Sequence, residues 1–147
     1  MAETFFPPGM PLPAPQVDTG WDAPFWEACR RHELVMQRCI GCGTYRYPPE
    51  VVCYRCRSFA YGWERVSGRG VIYSKMNVHY ANHPALRERV PYAAVIVELA
   101  EDPTVHLVGN VVDCDYADIA IGMAVEVQFE DHPDEDVTLP LWKRAGR

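Results

Sequence analysis

Residues 39–56, CIGCGTYRYPPEVVCYRC, contain four of the six cysteines in a chain of 147 residues. Cys39 and Cys42 form one C-x-x-C motif, and Cys53 and Cys56 form a second. Each motif presents two sulfurs on one loop, and two such loops facing each other form a tetrahedral four-sulfur site that suits zinc. Because four thiolates leave no open coordination position, we predict one structural zinc ion per chain, held in a zinc ribbon.

The alternative for this stretch is a pair of redox C-x-x-C motifs. A thioredoxin-like motif is single and lies beside a βαβ pattern, which the chain lacks. Residues 33–65 also contain few aliphatic side chains, so metal binding would supply folding free energy that the segment cannot obtain from a core. The remaining cysteines, Cys29 and Cys114, are interpreted as small buried hydrophobic residues.

The composition of the chain excludes some functional classes. Hydrophobic residues make up 48% of the chain, which is enough for a core, and the formal charge of −6 disfavours general binding to phosphate backbones. No run approaches the roughly 20 apolar residues of a membrane span. The N-terminus has neither a basic region nor an apolar region of a secretory signal, so a cytoplasmic location is expected.

The chain divides into segments of different texture. Residues 1–20 are rich in proline and predict a flexible tail, residues 21–36 predict a helical segment with Asp22 as N-cap, and residues 37–65 form the ribbon. From residue 66, β-branched runs such as YAAVIVELA are separated by Gly, Pro and Asp turns, which is typical of short strands. Without helical crossovers, these strands predict a small closed barrel over residues 66–133 and leave residues 134–147 as a C-terminal tail.

The sequence shows no self-sufficient catalytic machinery. It contains no nucleophile elbow, phosphate-binding loop, dinucleotide fingerprint or two-histidine metal motif. His79 and His83 are the closest histidine pair and the weak candidates for catalysis, with a surface or hydrogen-bonded role as the alternative. We therefore expect no catalytic residues in this chain.

Four stretches, in this order, carry a resemblance to a known family: PFWEACRRHELVMQRCIGCGTYRYPPEVVCYRC, WERVSGRGVIYSKMNVHY, PYAAVIVELA and GNVVDCDYADIAIGMAVEVQFED. They cover most of residues 21–131 and resemble the zinc-ribbon/OB-fold proteins of domain-of-unknown-function family 35, small subunits that accompany thiolase-superfamily enzymes. The resemblance implies a mainly β fold: an N-terminal helix, a rubredoxin-like zinc ribbon and a small OB-fold β-barrel.

The same resemblance implies a function. Such proteins are non-catalytic accessory subunits beside a thiolase-like or lipid-transfer-protein-like enzyme, and they help to position an acyl-CoA at the interface of a hetero-oligomer. The complex would be an aldolase, a carbon–carbon lyase of steroid or acyl-CoA side chains, or an acyltransferase. Some members are fused to a hydratase-like domain, for which 147 residues leave no room, so a stand-alone subunit is expected.

A CoA thioester needs cations for its phosphates and an apolar wall for its pantetheine arm. The candidate ligand-binding residues, with ordinary strand packing as the alternative for the tyrosines, are Arg69, Tyr73, Lys75, Tyr80, His83 and Arg87. In the C-terminal tail, Leu139, Leu141 and Trp142 lie beside Lys143 and Arg144 and predict a partner-docking segment, or a last barrel strand.

The alternative function is a single-stranded nucleic-acid-binding module. Zinc ribbons and OB-folds both bind single strands through basic grooves with aromatic platforms. The platform on the ribbon would consist of Tyr45, Arg46, Tyr47, Tyr54, Arg55 and Arg57. The net charge of −6 argues against this function.

Overall fold

The computed structural model describes residues 3–15 and 20–146. The regular structure of these parts is mostly β-strand, and all of the strands lie after residue 34. The one α-helix of these parts, α1 (Ala23–Arg30), is followed by a three-stranded sheet of order β2-β1-β3 and by a closed barrel of order β4-β5-β6-β8-β7. The strands are β1 (Val35–Cys39), β2 (Tyr45–Arg46), β3 (Tyr61–Arg65), β4 (Arg69–Val78), β5 (Tyr92–Leu99), β6 (His106–Val112), β7 (Ala124–His132) and β8 (Val137–Arg144). The predicted mainly β fold is confirmed.

Helix α1 is shorter than the helical segment predicted over residues 21–36. Pro24 lies in its first turn, where a missing N–H costs nothing, but the Asp22 carboxylate accepts a hydrogen bond from the Trp26 indole instead of capping the backbone. The helix ends at Arg30 because His32 adopts a left-handed φ of 57° and directs the chain into β1. The predicted helical segment is therefore a helix over half its length, followed by a turn and the first residues of β1.

The barrel follows the period-two pattern of its sequence. Along β5, Ala93, Val95, Val97 and Leu99 are buried, while the residues between them are half-buried on the outer side. Strands β4 to β6 form an antiparallel meander, and a short parallel pairing of β6 with β8 closes the barrel.

The C-terminal segment is not a tail. Strand β8 pairs with β7 over its whole length, so the barrel extends well beyond the predicted limit at residue 133. Leu139, Leu141 and Trp142 are buried, with exposed fractions of 6%, 3% and 1%. The segment forms the last barrel strand, in which these three side chains are packed, and their role in partner docking stays a prediction.

The described part of the proline-rich N-terminus lies against the barrel, which differs from the predicted flexible tail. The Glu130 carboxylate accepts hydrogen bonds from the backbone N–H groups of Phe5 and Phe6, at 2.6 and 3.2 Å. Phe5, Phe6 and Leu12 pack on the outer side of β8. The prediction for residues 1, 2 and 16–19 lies outside the described residues.

The ribbon and the barrel share one hydrophobic core. Phe25 and Cys29 of α1 and Met36 of β1 belong to the same buried cluster as the barrel residues Ile72 and Val97. His32, at the end of the helical segment, adds an ion-pairing contact from its Nε2 to the Asp131 carboxylate at 2.9 Å. The two C-x-x-C loops are thus joined to the barrel through this shared core.

Among the described residues, no helix is both long and apolar enough to cross a membrane.

Candidate metal centre and ligand-binding residues

The four cysteines of the two C-x-x-C motifs converge at one end of the three-stranded sheet. Their Sγ atoms all lie within 4.8 Å of one another, with Cys39 to Cys56 at 3.5 Å and Cys42 to Cys53 at 3.6 Å. Zinc–sulfur bonds of about 2.3 Å place the sulfurs of a tetrahedral site nearly 4 Å apart. The spacing of the sulfurs fits a four-thiolate metal site.

Two equivalent backbone turns place these sulfurs. In the first, the Gly43 N–H donates to the Cys39 carbonyl at 2.9 Å and Gly43 has a φ of 77°. In the second, the Arg57 N–H donates to the Cys53 carbonyl at 2.8 Å and Arg57 has a φ of 62°. The second turn lacks a glycine in the sequence, and Arg57 takes the left-handed position that Gly43 takes in the first.

The thiols of Cys42 and Cys56 have pKa values shifted in opposite directions. The Thr44 hydroxyl, 3.0 Å from Cys42 Sγ, and the Thr44 backbone lower the pKa of Cys42 to about 6. At Cys56, the Ser58 backbone hydrogen bond lowers the pKa, but the Cys39 sulfur, burial and the other sulfurs outweigh it and raise the pKa to about 11. Four thiolates this close repel one another, so a bound cation is what allows all four to ionise together.

The predicted ligand-binding residues do not converge on one pocket. The Lys75 ammonium lies at the end of the barrel and donates to the carbonyls of Tyr116 and Ile119 at 2.7 and 2.6 Å, which gives it a structural role. His83 caps the short turn Pro84–Leu86 by accepting from the Ala85 N–H at 3.2 Å. These contacts explain both side chains without a ligand.

The other candidates lie on the surface. Arg69, Tyr73, Tyr80 and Arg87 are exposed, and the Tyr73 ring stacks on the His106 ring at 4.6 Å between centroids. His79 approaches the edge of Tyr116 instead of His83. The structure thus gives the two histidines separate neighbours and does not form a catalytic pair from them.

A cavity of about 740 Å³ lies between the N-terminal segment, the loop after β4 and the β7–β8 turn. Five acidic side chains line it, namely Glu3, Glu88, Asp131, Asp134 and Glu135. Arg89, which also lines it, is already paired with Glu3 at 3.0 Å and with the Thr4 carbonyl. Such a lining repels the phosphates of a CoA.

The nucleic-acid platform predicted on the ribbon does not form. Arg46 is buried, Tyr47 packs on Phe25 with 5.7 Å between ring centroids, and the Tyr45 hydroxyl donates to Glu64 at 2.8 Å. Tyr54, Arg55 and Arg57 are exposed, but three side chains on one loop do not make a basic groove. The alternative function has no assembled surface among the described residues.

Sequence reasoning missed the burial of Gln37 and Arg46. Gln37 is 0% exposed, and its side-chain carbonyl accepts the Glu50 N–H at 2.8 Å, which fixes the segment before the second turn. Both are polar residues in short strands, and no local pattern distinguishes them from exposed residues. Gln37 is held by Glu50 and Arg46 lies over Tyr61, and both contacts join residues that are distant in the sequence.

Two family descriptions match consecutive parts of the chain. Residues 26–62 match ChsH2, rubredoxin-like zinc ribbon domain, and residues 63–130 match ChsH2, C-terminal OB-fold domain. The order of the two matches confirms the predicted ribbon followed by an OB-fold barrel.

Two curated proteins are similar to most of this chain. It is 38% identical over 125 residues to a probable enoyl-CoA hydratase alpha subunit of Thermomonospora curvata, covering 84% of this chain and 38% of that protein. It is 35% identical over 113 residues to a DUF35 domain-containing scaffold protein of Methanocaldococcus jannaschii, covering 74% of this chain and 78% of that protein. The chain thus spans less than two-fifths of the hydratase subunit and most of the scaffold protein.

One solved structure is similar to this chain in both fold and sequence. A chain of the Ltp2-ChsH2(DUF35) aldolase superposes with a TM-score of 0.76 at 34% identity. The match covers 88% of this chain and 98% of that chain. Both the ribbon and the barrel are therefore shared with a component of a named aldolase.

Proposed function

Because this chain belongs to the DUF35 family of zinc-ribbon/OB-fold proteins, we propose that it is a non-catalytic accessory subunit of an acyl-CoA enzyme. Its partner would be a thiolase-superfamily enzyme of the lipid-transfer-protein-like type, and the assembled complex would be an aldolase or an acyltransferase acting on a steroid or fatty acyl-CoA. The observation that carries this proposal is the match to the aldolase component over 98% of its length.

The residues of this chain support an accessory role. His79 and His83 have separate structural neighbours, and the four cysteines of the motifs are grouped for a metal, so neither set is arranged as a nucleophile with its base. The proposed metal is one structural zinc ion held by the four cysteines. The proposed compartment is the cytosol, where thiols stay reduced and available to the metal.

The test is coexpression with the thiolase-like protein of the same organism. We expect a complex of both chains that survives gel filtration and cleaves or transfers an acyl group from its CoA thioester, whereas this chain alone shows negligible turnover. A ratio of absorbance at 260 and 280 nm on the same sample detects copurified nucleic acid. A nucleic-acid-rich sample without an enzyme partner would replace this proposal with the alternative function.

Contact with the acyl-CoA is a finer part of the proposal, and it concerns the exposed candidates Arg69, Tyr73, Tyr80 and Arg87. A charge-assisted hydrogen bond is worth about 1.5–3 kcal/mol, so removing a phosphate contact raises KM by about tenfold or more. We therefore expect the double variant Arg69→Ala, Arg87→Ala to raise the KM of the assembled enzyme for acyl-CoA without dissociating the complex.

The matched control is Arg65→Ala, since Arg65 is another exposed arginine, with 71% of its side chain accessible on β3. Steady-state kinetics over a range of acyl-CoA concentrations measures the effect. If the double variant and the control have the same KM, these arginines do not bind CoA, and the subunit supports its partner without touching the substrate.

A further inference from the structure

Arg46 is a buried charge that its own chain leaves without hydrogen bonds. The residue is 3% exposed, and its Nε, Nη1 and Nη2 atoms have no acceptor among the described residues. An isolated buried cation is strongly unfavourable unless a negative charge compensates it. A guanidinium cannot escape this penalty by losing its proton, since it stays charged at all ordinary pH values.

The strand register and one aromatic contact locate the Arg46 side chain. In the sheet of order β2-β1-β3, Arg46 is opposite Gln37 on β1, and Cys39 of β1 is opposite Tyr61 on β3. The Arg46 guanidinium lies over the Tyr61 ring, 5.5 Å from its centroid. The side chains of Arg46 and Tyr61, from the two outer strands, therefore meet over the middle strand.

The strand register places Arg46 on the same face of the sheet as Cys39. Gln37 and Cys39 are two residues apart on β1, so their side chains point to the same face, the face of Arg46 and Tyr61. Thr44, two residues before Arg46, ties the same region to the sulfurs, since its carbonyl accepts the Cys39 N–H at 2.9 Å and its hydroxyl lies 3.0 Å from Cys42 Sγ.

With a metal bound, the four-cysteine site is a concentration of negative charge that begins at Cys39 on this face. Four thiolates with one divalent cation carry a net charge of −4 + 2 = −2. We propose that Arg46 is the buried countercharge of the four-cysteine metal centre, held in place by the Tyr61 ring. Arg46 is thus a positioning residue: its positive charge, on the same sheet face as Cys39, stabilises the ribbon when the metal is bound.

The experiment uses the full chain with Arg46→Met, which keeps length and removes charge, and with Arg46→Lys, which keeps the charge. The control is Arg65→Met, an exposed arginine of the same sheet. Zinc affinity is measured by competition with a chromophoric chelator. We expect Arg46→Met to weaken zinc binding by tenfold or more, Arg46→Lys to restore most of the loss, and Arg65→Met to have no effect.

A second readout separates charge from packing. In the protein reconstituted with iron, reduction adds one negative charge to the four-thiolate centre, so a nearby cation favours the reduced form. We expect the reduction potential to become more negative in Arg46→Met and to stay close to the original value in Arg46→Lys. A purely structural role for Arg46 would not move the potential in this pattern.

Three results would overturn the proposal. The first is an unchanged reduction potential in Arg46→Met, and the second is an equal loss of zinc affinity in the lysine and methionine variants. The third needs no variant and holds even if Arg46→Met fails to fold: an experimental structure of the zinc-loaded protein in which the guanidinium points away from the four sulfurs.

Discussion

Replacing Cys39 with serine will release the metal and unfold the ribbon. Cys39 is 2% exposed, and its backbone and sulfur join β1 to both metal-binding turns. Structural zinc contributes about 10–16 kcal/mol in zinc-finger peptides, which matches or exceeds the total stability of a typical domain. Residues 40–60 have few buried side chains of their own, so little remains to hold them when the metal is lost.

Metal content by mass spectrometry and amide hydrogen exchange over residues 37–65 measure this outcome. Cys114→Ser is the matched control, because Cys114 is partly exposed and remote in sequence from the site, and it should retain one zinc per chain. Cys56→Ser, at an exposed cysteine of the second turn, should repeat the loss expected for Cys39→Ser. A soluble Cys39→Ser protein that still holds a full equivalent of zinc would show that the four-cysteine site is wrong.

The second large effect is expected at Trp142, whose replacement by alanine should destabilise the barrel. Trp142 is 1% exposed and pairs with Val127 of β7 and Val111 of β6, at the seam that closes the barrel. Large-to-small changes of a buried tryptophan cost about 3–5 kcal/mol. Urea unfolding followed by circular dichroism should show a lower midpoint with a similar slope.

Lys143→Ala is the neighbouring control, since Lys143 is half-buried and makes a surface ion pair with Glu126 at 3.2 Å. Exposed pairs contribute about 0.2–1 kcal/mol, so this variant should unfold close to the original midpoint. Gly109→Ala should resemble Trp142→Ala, because an added Cβ would lie 2.9 Å from the indole. If the Trp142→Ala protein kept its full stability but no longer bound the partner enzyme, the C-terminal strand would be a docking element.

Local patterns predicted the parts of the fold that depend on neighbours in sequence. The cysteine spacing identified the metal site because each turn needs only six or seven consecutive residues, and the alternating pattern of β5 identified a strand with one buried face. Strand β8 was ambiguous because both of its faces are covered. Trp142 faces the barrel core, whereas Leu139 and Leu141 face Phe5, Phe6 and Trp26. A strand covered on both sides shows no alternation and resembles an apolar tail.

The remaining errors have the same origin, since they concern contacts between distant residues. The sequence predicts Arg46 as part of a basic surface, but it is buried with its guanidinium over the Tyr61 ring. The sequence predicts Lys75 as a phosphate ligand, but its ammonium donates to the carbonyls of Tyr116 and Ile119. In each case a charged side chain is held by groups that lie more than ten residues away or on the far side of a strand. No window of sequence contains that information.

Strand β1 has a consequence for how such a chain can be altered by recombination. Met36 is part of the core that fills the barrel, whereas the next residue, Gln37, holds the segment that leads to the second metal-binding turn. One strand therefore serves two folding units, and the border between them runs between adjacent residues. A chimaera that replaced the ribbon of this chain with another ribbon would have to retain the core residues of α1 and β1, or it would leave a cavity in the barrel core.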